Sequence, residues 1–330
     1  MASSDASLPQ VLFDRGVHLV GSVLWLDATT GRELSFVSHS GVPGIRNHAK
    51  ILCTDRTARL ATRLRRGGRR LNALVCPYGR PFSLGPLRME LLPSGFALGS
   101  AQLRVEVAGT SLLYTGDLCL RPAPGVEAAV APRADVLVLD TSVGHPGRPL
   151  PSHRETVGRL LAFVEATLEM GQTPVLLCEP VGTAQQVLPL LQERGWPCAV
   201  HPSIGSANEI HAEFGVPLGP CRVSAGTVRP GEVLLWPSHL WRSAAVRRRP
   251  RVRFAALVNS PWATTEMAPA EAVFPWVRHA SWPELSRFVE QVKPRRIYTL
   301  KGWEQEVAAA LRKQGWDAQD LSSGLQLPLF

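Results

Sequence analysis

With 330 residues, 45% of them hydrophobic and 19% charged, the chain can bury a large core and fits one big domain or two medium ones. No apolar run reaches the ~20 residues that cross a bilayer, and MASSDASLPQ lacks the basic-then-apolar pattern of a signal peptide, so a cytoplasmic protein with no membrane partner is expected. The formal net charge is +9, from 36 Lys and Arg against 27 Asp and Glu, and arginine dominates it.

The first ~140 residues alternate short apolar runs with turn residues, as a β-rich layer does. Strands are predicted at Val23–Leu26, Leu34–Val37, Lys50–Cys53, Ala73–Val75, Leu87–Leu92, Gln102–Val107, Ser111–Tyr114 and Val136–Leu139, with one helix at Arg56–Leu64. From Ser152 the pattern turns to 3.6-period segments alternating with short strands, the rhythm of a sheet covered by helices. Ser152 caps a helix to about Met170, with Glu155 completing a capping box. Strand Val175–Leu177, helix Ala184–Arg194, strand Ala199–His201 and helix Ser206–Phe214 come next. Pro217–Pro230 reads as loop, and Val233–Trp236 and Phe254–Val258 as strands. The tail predicts helix Trp282–Val292, strand Arg296–Leu300, helix Glu304–Gln314 and a short strand near Ala318.

Two arginine clusters stand out: Arg63, Arg65, Arg66, Arg69 and Arg70 around Gly67-Gly68, and Arg242, Arg247, Arg248, Arg249, Arg251 and Arg253. Such clusters suit a phosphate backbone, because each neutralised phosphate releases a condensed counterion; a solvated basic surface is the alternative. Trp236, Trp241, Trp262, Trp276 and Trp282 lie near the second cluster, as base-stacking platforms or as ordinary packing. The six cysteines (Cys53, Cys76, Cys119, Cys178, Cys198, Cys221) are scattered singly and read as reduced, buried thiols rather than metal ligands.

Short stretches then recur in a telling order: Phe36-Val-Ser-His-Ser40, Leu92-Pro-Ser-Gly-Phe-Ala-Leu-Gly-Ser-Ala101, Leu113-Tyr-Thr-Gly-Asp117, Val136-Leu-Val-Leu-Asp-Thr-Ser-Val-Gly144, Phe274-Pro-Trp-Val-Arg-His-Ala280 and Ile297-Tyr-Thr-Leu-Lys-Gly302. Together they resemble the signature segments of metallo-β-lactamase-fold nucleases of the β-CASP branch, the bacterial RNA-processing exonucleases, with ligase-associated DNA exonucleases as neighbours. The resemblance covers nearly the whole chain, Gly16-Val-His-Leu19, Trp25-Leu-Asp27 and Pro174-Val-Leu-Leu177 included. It implies an α/β protein: an αββα sandwich from residues 1–151 and 274–330, with a β-CASP-like cap inserted at 152–273 and a nucleic-acid groove between them.

Chemistry in that family rests on two zinc ions held by His and Asp side chains, which polarise a phosphate and supply hydroxide. Aligned to the family's Ser-His-x-His-x-Asp-His loop, His39 is kept, whereas Gly41, Pro43 and Gly44 stand where the second His, the Asp and the third His belong. Phe96 replaces the next ligand and Lys301 the last; Thr183 follows Gly182 where a Lys is usual. Asp117, Asp140 and His279 remain. His39, Asp117 and His279 leave each metal short of the usual three protein ligands, so no cofactor is expected, and zinc only if this remnant still binds it. His39 as a satisfied histidine and Asp117 as a turn cap are the structural alternatives, and His48 is a substitute ligand or a surface histidine. Lys301 is expected to form an ion pair with Asp117 or Asp140.

The sequence therefore reads as that of a non-catalytic member that binds RNA or DNA through Arg63, Arg65, Arg66, Arg247, Arg248 and Arg249, or supports an active nuclease, ligase or helicase partner. The alternatives are a residual metal-dependent phosphodiesterase or exonuclease using His39, Asp117, Asp140 and His279, and a scaffold with no nucleic-acid role.

Overall fold

The computed structural model describes residues 8–64, 71–247, 250–262 and 270–321. They fall into two compact units, one within Met1–Pro122, Val126–Pro149 and His279–Phe330, the other Ala123–Gly125 with Leu150–Arg278.

The first unit has two sheets. One runs in chain order through β1 (Val11–Phe13), β2 (Val17–Leu19), β3 (Leu24–Leu26), β4 (Leu34–Phe36), β5 (Lys50–Cys53) and β6 (Ala73–Val75). The other has the order β19 (Ala318–Asp320), β18 (Arg296–Leu300), β11 (Val136–Asp140), β10 (Thr110–Tyr114), β9 (Ala101–Val107), β8 (Leu87–Pro93), β7 (Phe82–Leu84). Side chains alternate across each strand, and this period of two builds the layers. Val136 and Val138 turn into the core between the sheets with Leu24, Phe36, Met89 and Leu103. Leu137 and Leu139 turn outward, beneath α6 (Trp282–Val292) and α7 (Glu304–Lys313). Val37, Ile51 and Cys53 make a further layer with Ala61 of α1 (Asp55–Leu64). The result is helix, sheet, sheet, helix, and β11 is apolar from Val136 to Leu139 because it is covered on both faces.

The second unit is a parallel sheet of order β14 (Arg222–Val223), β13 (Cys198–Val200), β15 (Val233–Pro237), β12 (Thr173–Cys178), β16 (Val252–Val258), β17 (Ala272–Pro275). Helices α2 (His153–Glu169), α3 (Thr183–Glu193) and α4 (Pro202–Glu213) pack Leu160, Val164, Val187, Leu191 and Ile204 on one face. Trp236 and Leu234 cluster on the other with Val246 of α5 (Ala244–Arg247).

Most predicted elements differ from the observed ones by a residue or two. Strands β1, β2, β7, β14 and β17 were not expected, and four of them have only two or three residues, too short to show a period. Helix α4 starts at Pro202 rather than Ser206, because proline suits the first turn and the His201 ring accepts the Ser203 N–H (3.1 Å) as N-cap. Phe274 and Pro275 lie in β17, so the second unit extends to Arg278. Ser152 caps α2 by accepting the Glu155 N–H at 3.3 Å. Among the described residues no helix is long and apolar enough to cross a membrane.

Candidate functional site

Five of the singled-out positions meet at the carboxyl ends of the first unit's strands. His39 follows β4, Asp117 follows β10, Asp140 ends β11 and Lys301 follows β18, while His279 begins the segment leading to α6. Because β10, β11 and β18 are parallel, the residues at their ends emerge on one edge.

Asp117 is the centre of the cluster. One carboxylate oxygen pairs with the Lys301 ammonium, the ion pair expected of that lysine, and the other lies 3.0 Å from His39 Nε2. Burial pushes the Asp117 carboxyl up, but the ammonium, with His39 and His279, overcomes this and holds it well below the usual carboxylate range. Lys301 is raised well above an ordinary lysine: burial alone would lower it, and Asp117, Tyr114 and Asp140 outweigh burial. Lys301 has φ of +67°, a left-handed conformation that few β-strand exits adopt, and Gly302 follows at +71°. A Cβ on Gly302 would lie 2.6 Å from the Ser142 carbonyl oxygen, so only glycine passes there.

Asp140 is saturated. Its Oδ1 accepts from the Ser142 N–H (3.0 Å) and hydroxyl (2.5 Å), and its Oδ2 from the Leu118 N–H (3.1 Å), with His279 Nδ1 at 2.8 Å. Burial raises this carboxyl, but His279 and Lys301 bring it below the ordinary value overall. An ionised Asp140 requires Nδ1 of His279 to donate, which leaves the Nε2 lone pair as that ring's remaining site in its neutral form. His39 is the converse case: Nδ1 accepts the Gly41 N–H at 3.0 Å, so Nε2 carries the proton towards Asp117.

Phe96 sits between the two imidazoles, 5.0 Å from each ring centroid, and is 5% exposed. It packs an apolar ring beside both imidazoles, where the family resemblance calls for a ligand. The loop after His39 is rebuilt too. Val42 and Ile45 are drawn into the layer beneath α1, leaving Gly41 and Pro43 exposed. Gly44 has φ of +77°, and a Cβ there would come within 2.2 Å of the Thr29 carbonyl oxygen, which excludes a histidine.

Asp117, Asp140 and His279 offer three donor atoms within 4.8 Å of one another, enough in principle to touch one ion. A two-zinc centre does not fit these residues. All four acceptor positions of Asp140 are used, both oxygens of Asp117 are engaged, and a fixed ammonium already neutralises the carboxylates. What the arrangement can do on its own is hold charge and orient an imidazole.

Two supporting residues escaped the sequence reading. Asp27, in the left-handed region at φ of +47°, accepts from the Ser38 N–H (2.7 Å), the Ser38 hydroxyl (2.6 Å) and the Tyr114 hydroxyl (2.9 Å), tying down the loop that carries His39. Ser142 fixes Asp140. Both lie within stretches that carry the family resemblance, Trp25-Leu-Asp27 and Val136–Gly144, but the stretches alone did not show what their side chains hold. The expectation for His48 needs correcting: it is neither on the surface nor in the cluster. It is 5% exposed, its Nδ1 accepts the Arg32 N–H at 3.2 Å, and burial pushes its pKa down.

Of the arginines, Arg63 is exposed at the end of α1. Arg65, Arg66, Arg69, Arg70, Arg248 and Arg249 lie outside the described residues, and Arg247 closes α5 with its side chain outside them too. Arg253 pairs with Glu271 at 2.8 Å. Trp236 (2% exposed) and Trp276 (fully buried) are packing residues, whereas Trp241, Trp262 and Trp282 are half-buried. The thiols of Cys53, Cys76, Cys119, Cys178 and Cys198 are buried as expected, whereas Cys221 is half-buried.

An αββα sandwich whose His, Asp and Lys cluster lies at its strand ends defines the class: a metallo-β-lactamase fold. No family model matches the chain. A protein of Opitutus terrae named "Probable DNA ligase" is 34% identical over 326 residues, 97% of this chain and 32% of that protein. An "RNase J-like protein" of Methanocaldococcus jannaschii is 28% identical over 108 residues (31% and 25% of the two chains), and a ribonuclease of Thermus thermophilus 31% over 119 (36% and 27%). The chain thus spans about a third of the first relative and about a quarter of the others. A crystal structure of an Enterococcus faecalis protein of unknown function has a similar fold, with a TM-score of 0.58, 12% identity and coverage of 83% and 76%. The homologues of the chain thus include metallo-β-lactamase proteins of the β-CASP branch.

Proposed function

We propose that this chain is a nucleic-acid-binding member of the β-CASP branch that works without a dinuclear metal centre and supports a DNA-processing partner. The observation carrying this reading is the Lys301 ammonium on Asp117, which puts a permanent cation where the family resemblance calls for a metal ligand. Phe96 between the imidazoles and the blocked position at Gly44 point the same way. The net charge of +9 favours a polyanionic partner, RNA or DNA, engaged through the arginine clusters at 63–66 and 247–249. A ligase is the favoured protein partner, since nearly the whole chain aligns with one third of a protein named as a DNA ligase.

Two measurements test this together. Metal analysis of the purified protein should find well under one zinc per chain, and a nuclease assay with added zinc or manganese should find no cleavage. Two zinc ions per chain, or cleavage that disappears in Asp117→Ala, would overturn the reading in favour of a metal-dependent phosphodiesterase acting on RNA or DNA.

A further inference from the structure

One sheet of the first unit ends on β6, and among the described residues no strand pairs with its outer side. On the inner side β6 runs parallel to β5, where the Ile51 N–H donates to the Asn72 carbonyl (2.9 Å) and the Cys76 N–H to the Cys53 carbonyl (3.0 Å). Residues 72, 74 and 76 therefore bond to β5, and the N–H and C=O groups of Ala73 and Val75 point outward from the sheet's edge. The edge is also apolar, with Leu74 38% and Val75 43% exposed. These two lie on opposite faces: Val75 follows Ala73 on the side of α1 with Ile51 and Cys53, and Leu74 follows Leu52 on the other.

Proteins usually blunt an open edge with a charge or a proline. In the second unit β17 ends on Pro275, but Ala73-Leu74-Val75 has neither device. The other apolar edge is β1, with Leu12 and Phe13 exposed, and its turn carries the Asp14 carboxylate against Arg15 and Arg32, so its charge is balanced. Around β6 the charge has one sign. From Arg56 to Met89 there is no Asp or Glu, and the exposed Arg59 and Arg63 on α1 and the exposed Arg80 beyond β6 surround the strand in sequence. A second copy pairing through the same edge would bring like charges together. A nucleic acid would meet the cations but leave Leu74, Val75 and the outward amide row uncovered. An extended peptide with alternate apolar residues and nearby carboxylates satisfies all of these groups.

We infer that the outer edge of β6 is a docking edge for a partner protein, which adds an extended acidic segment as a further strand hydrogen-bonded to Ala73 and Val75. This rests on the partner-supporting half of the proposed function and gives the partner a chemistry; it uses none of the nucleic-acid half.

The test is selection of a displayed library of random peptides on the immobilised full chain, followed by fluorescence polarisation of the leading peptide with that chain in solution. Enriched sequences should carry Asp or Glu beside alternating Val, Ile or Leu, without proline. Val75→Pro deletes one outward donor at a place where an edge strand tolerates proline, and should weaken the leading peptide by about 10-fold, the effect of one lost hydrogen bond. N-methylation of alternate peptide residues should abolish binding in one register and spare it in the other. That measurement alters no residue of the protein and decides the matter if Val75→Pro fails to fold. No enrichment, enrichment of basic or proline-rich peptides, or binding indifferent to both changes overturns the docking edge. A wild-type dimer that Val75→Pro dissociates would assign the edge to a second copy, and oligo-dT binding lost in Val75→Pro would assign it to nucleic acid; either overturns the inference. All of these results leave untouched the zinc and cleavage measurements that decide the proposed function itself.

Discussion

Lys301 and Asp117 illustrate how a buried charge is kept. Each would be forced towards neutrality by burial, and each is held ionised by the other. Removing the lysine should therefore cost more than the pair's own attraction, because Asp117, 14% exposed, is left with only the two imidazoles of His39 and His279. The ammonium is 35% exposed, which places the expected loss for Lys301→Ala at about 2 kcal/mol, below the roughly 3–5 of a fully buried pair. Urea denaturation of the two proteins at pH 7 measures it, and indistinguishable midpoints would mean that the pair contributes nothing. The sign of the pH dependence comes from the same residues. Asp117 and Asp140 both have folded-state values below ordinary carboxyls, so below about pH 4 the unfolded chain binds more protons than the folded one. Their contribution is complete above about pH 5 and is lost as pH falls through the folded values. Urea midpoints from pH 3 to pH 7 should fall less steeply at the acid end in Asp117→Asn than in wild type.

At the scale of elements, the site depends on how strands end. The exit from β18 takes two successive left-handed residues, Lys301 and Gly302, and the second packs against Ser142 two residues beyond β11. Gly302→Ala has to move that contact as well as adopt an unfavourable backbone, so a loss of about 2 kcal/mol or more is expected by thermal or urea unfolding. A variant as stable as wild type would show that the turn has room. Phe96 is the other element-level support, filling the space between His39 and His279 from the loop before β9. Phe96→Ala should cost about 3 kcal/mol through the cavity it leaves. Phe96→His should still hold no zinc, as metal analysis can check, because Gly44 cannot carry a side chain and Asp140 is saturated.

For the whole molecule the governing quantity is charge. A chain at +9 with six arginines between Arg242 and Arg253 should bind an oligonucleotide with strong salt dependence. If the five besides Arg253, which is paired with Glu271, neutralise phosphates of a single strand, the logarithm of the binding constant falls with the logarithm of salt at a slope of about −3.5, from ~0.7 per phosphate. Charge reversal at Arg247–Arg249 should reduce that slope by about 2. A binding constant indifferent to salt would remove the electrostatic argument and leave a scaffold role.

The order of motifs along the chain settled the fold class, because hydrophobic period and turn residues are local and survive when ligands change. The departures from the family pattern at Gly41, Pro43, Gly44, Phe96 and Lys301 were legible in the same way, since a substituted residue is visible wherever the frame around it is recognisable. What became of the space they left was not. That Lys301 reaches Asp117 across 184 positions, that Phe96 sits beside both imidazoles, and that Ser142 and Leu118 use up Asp140 depend on which strand ends lie side by side. The same holds for the tryptophans: the sequence offered five of equal standing, and only tertiary packing separated Trp236 and Trp276, which are buried, from Trp241, Trp262 and Trp282, which are half-buried.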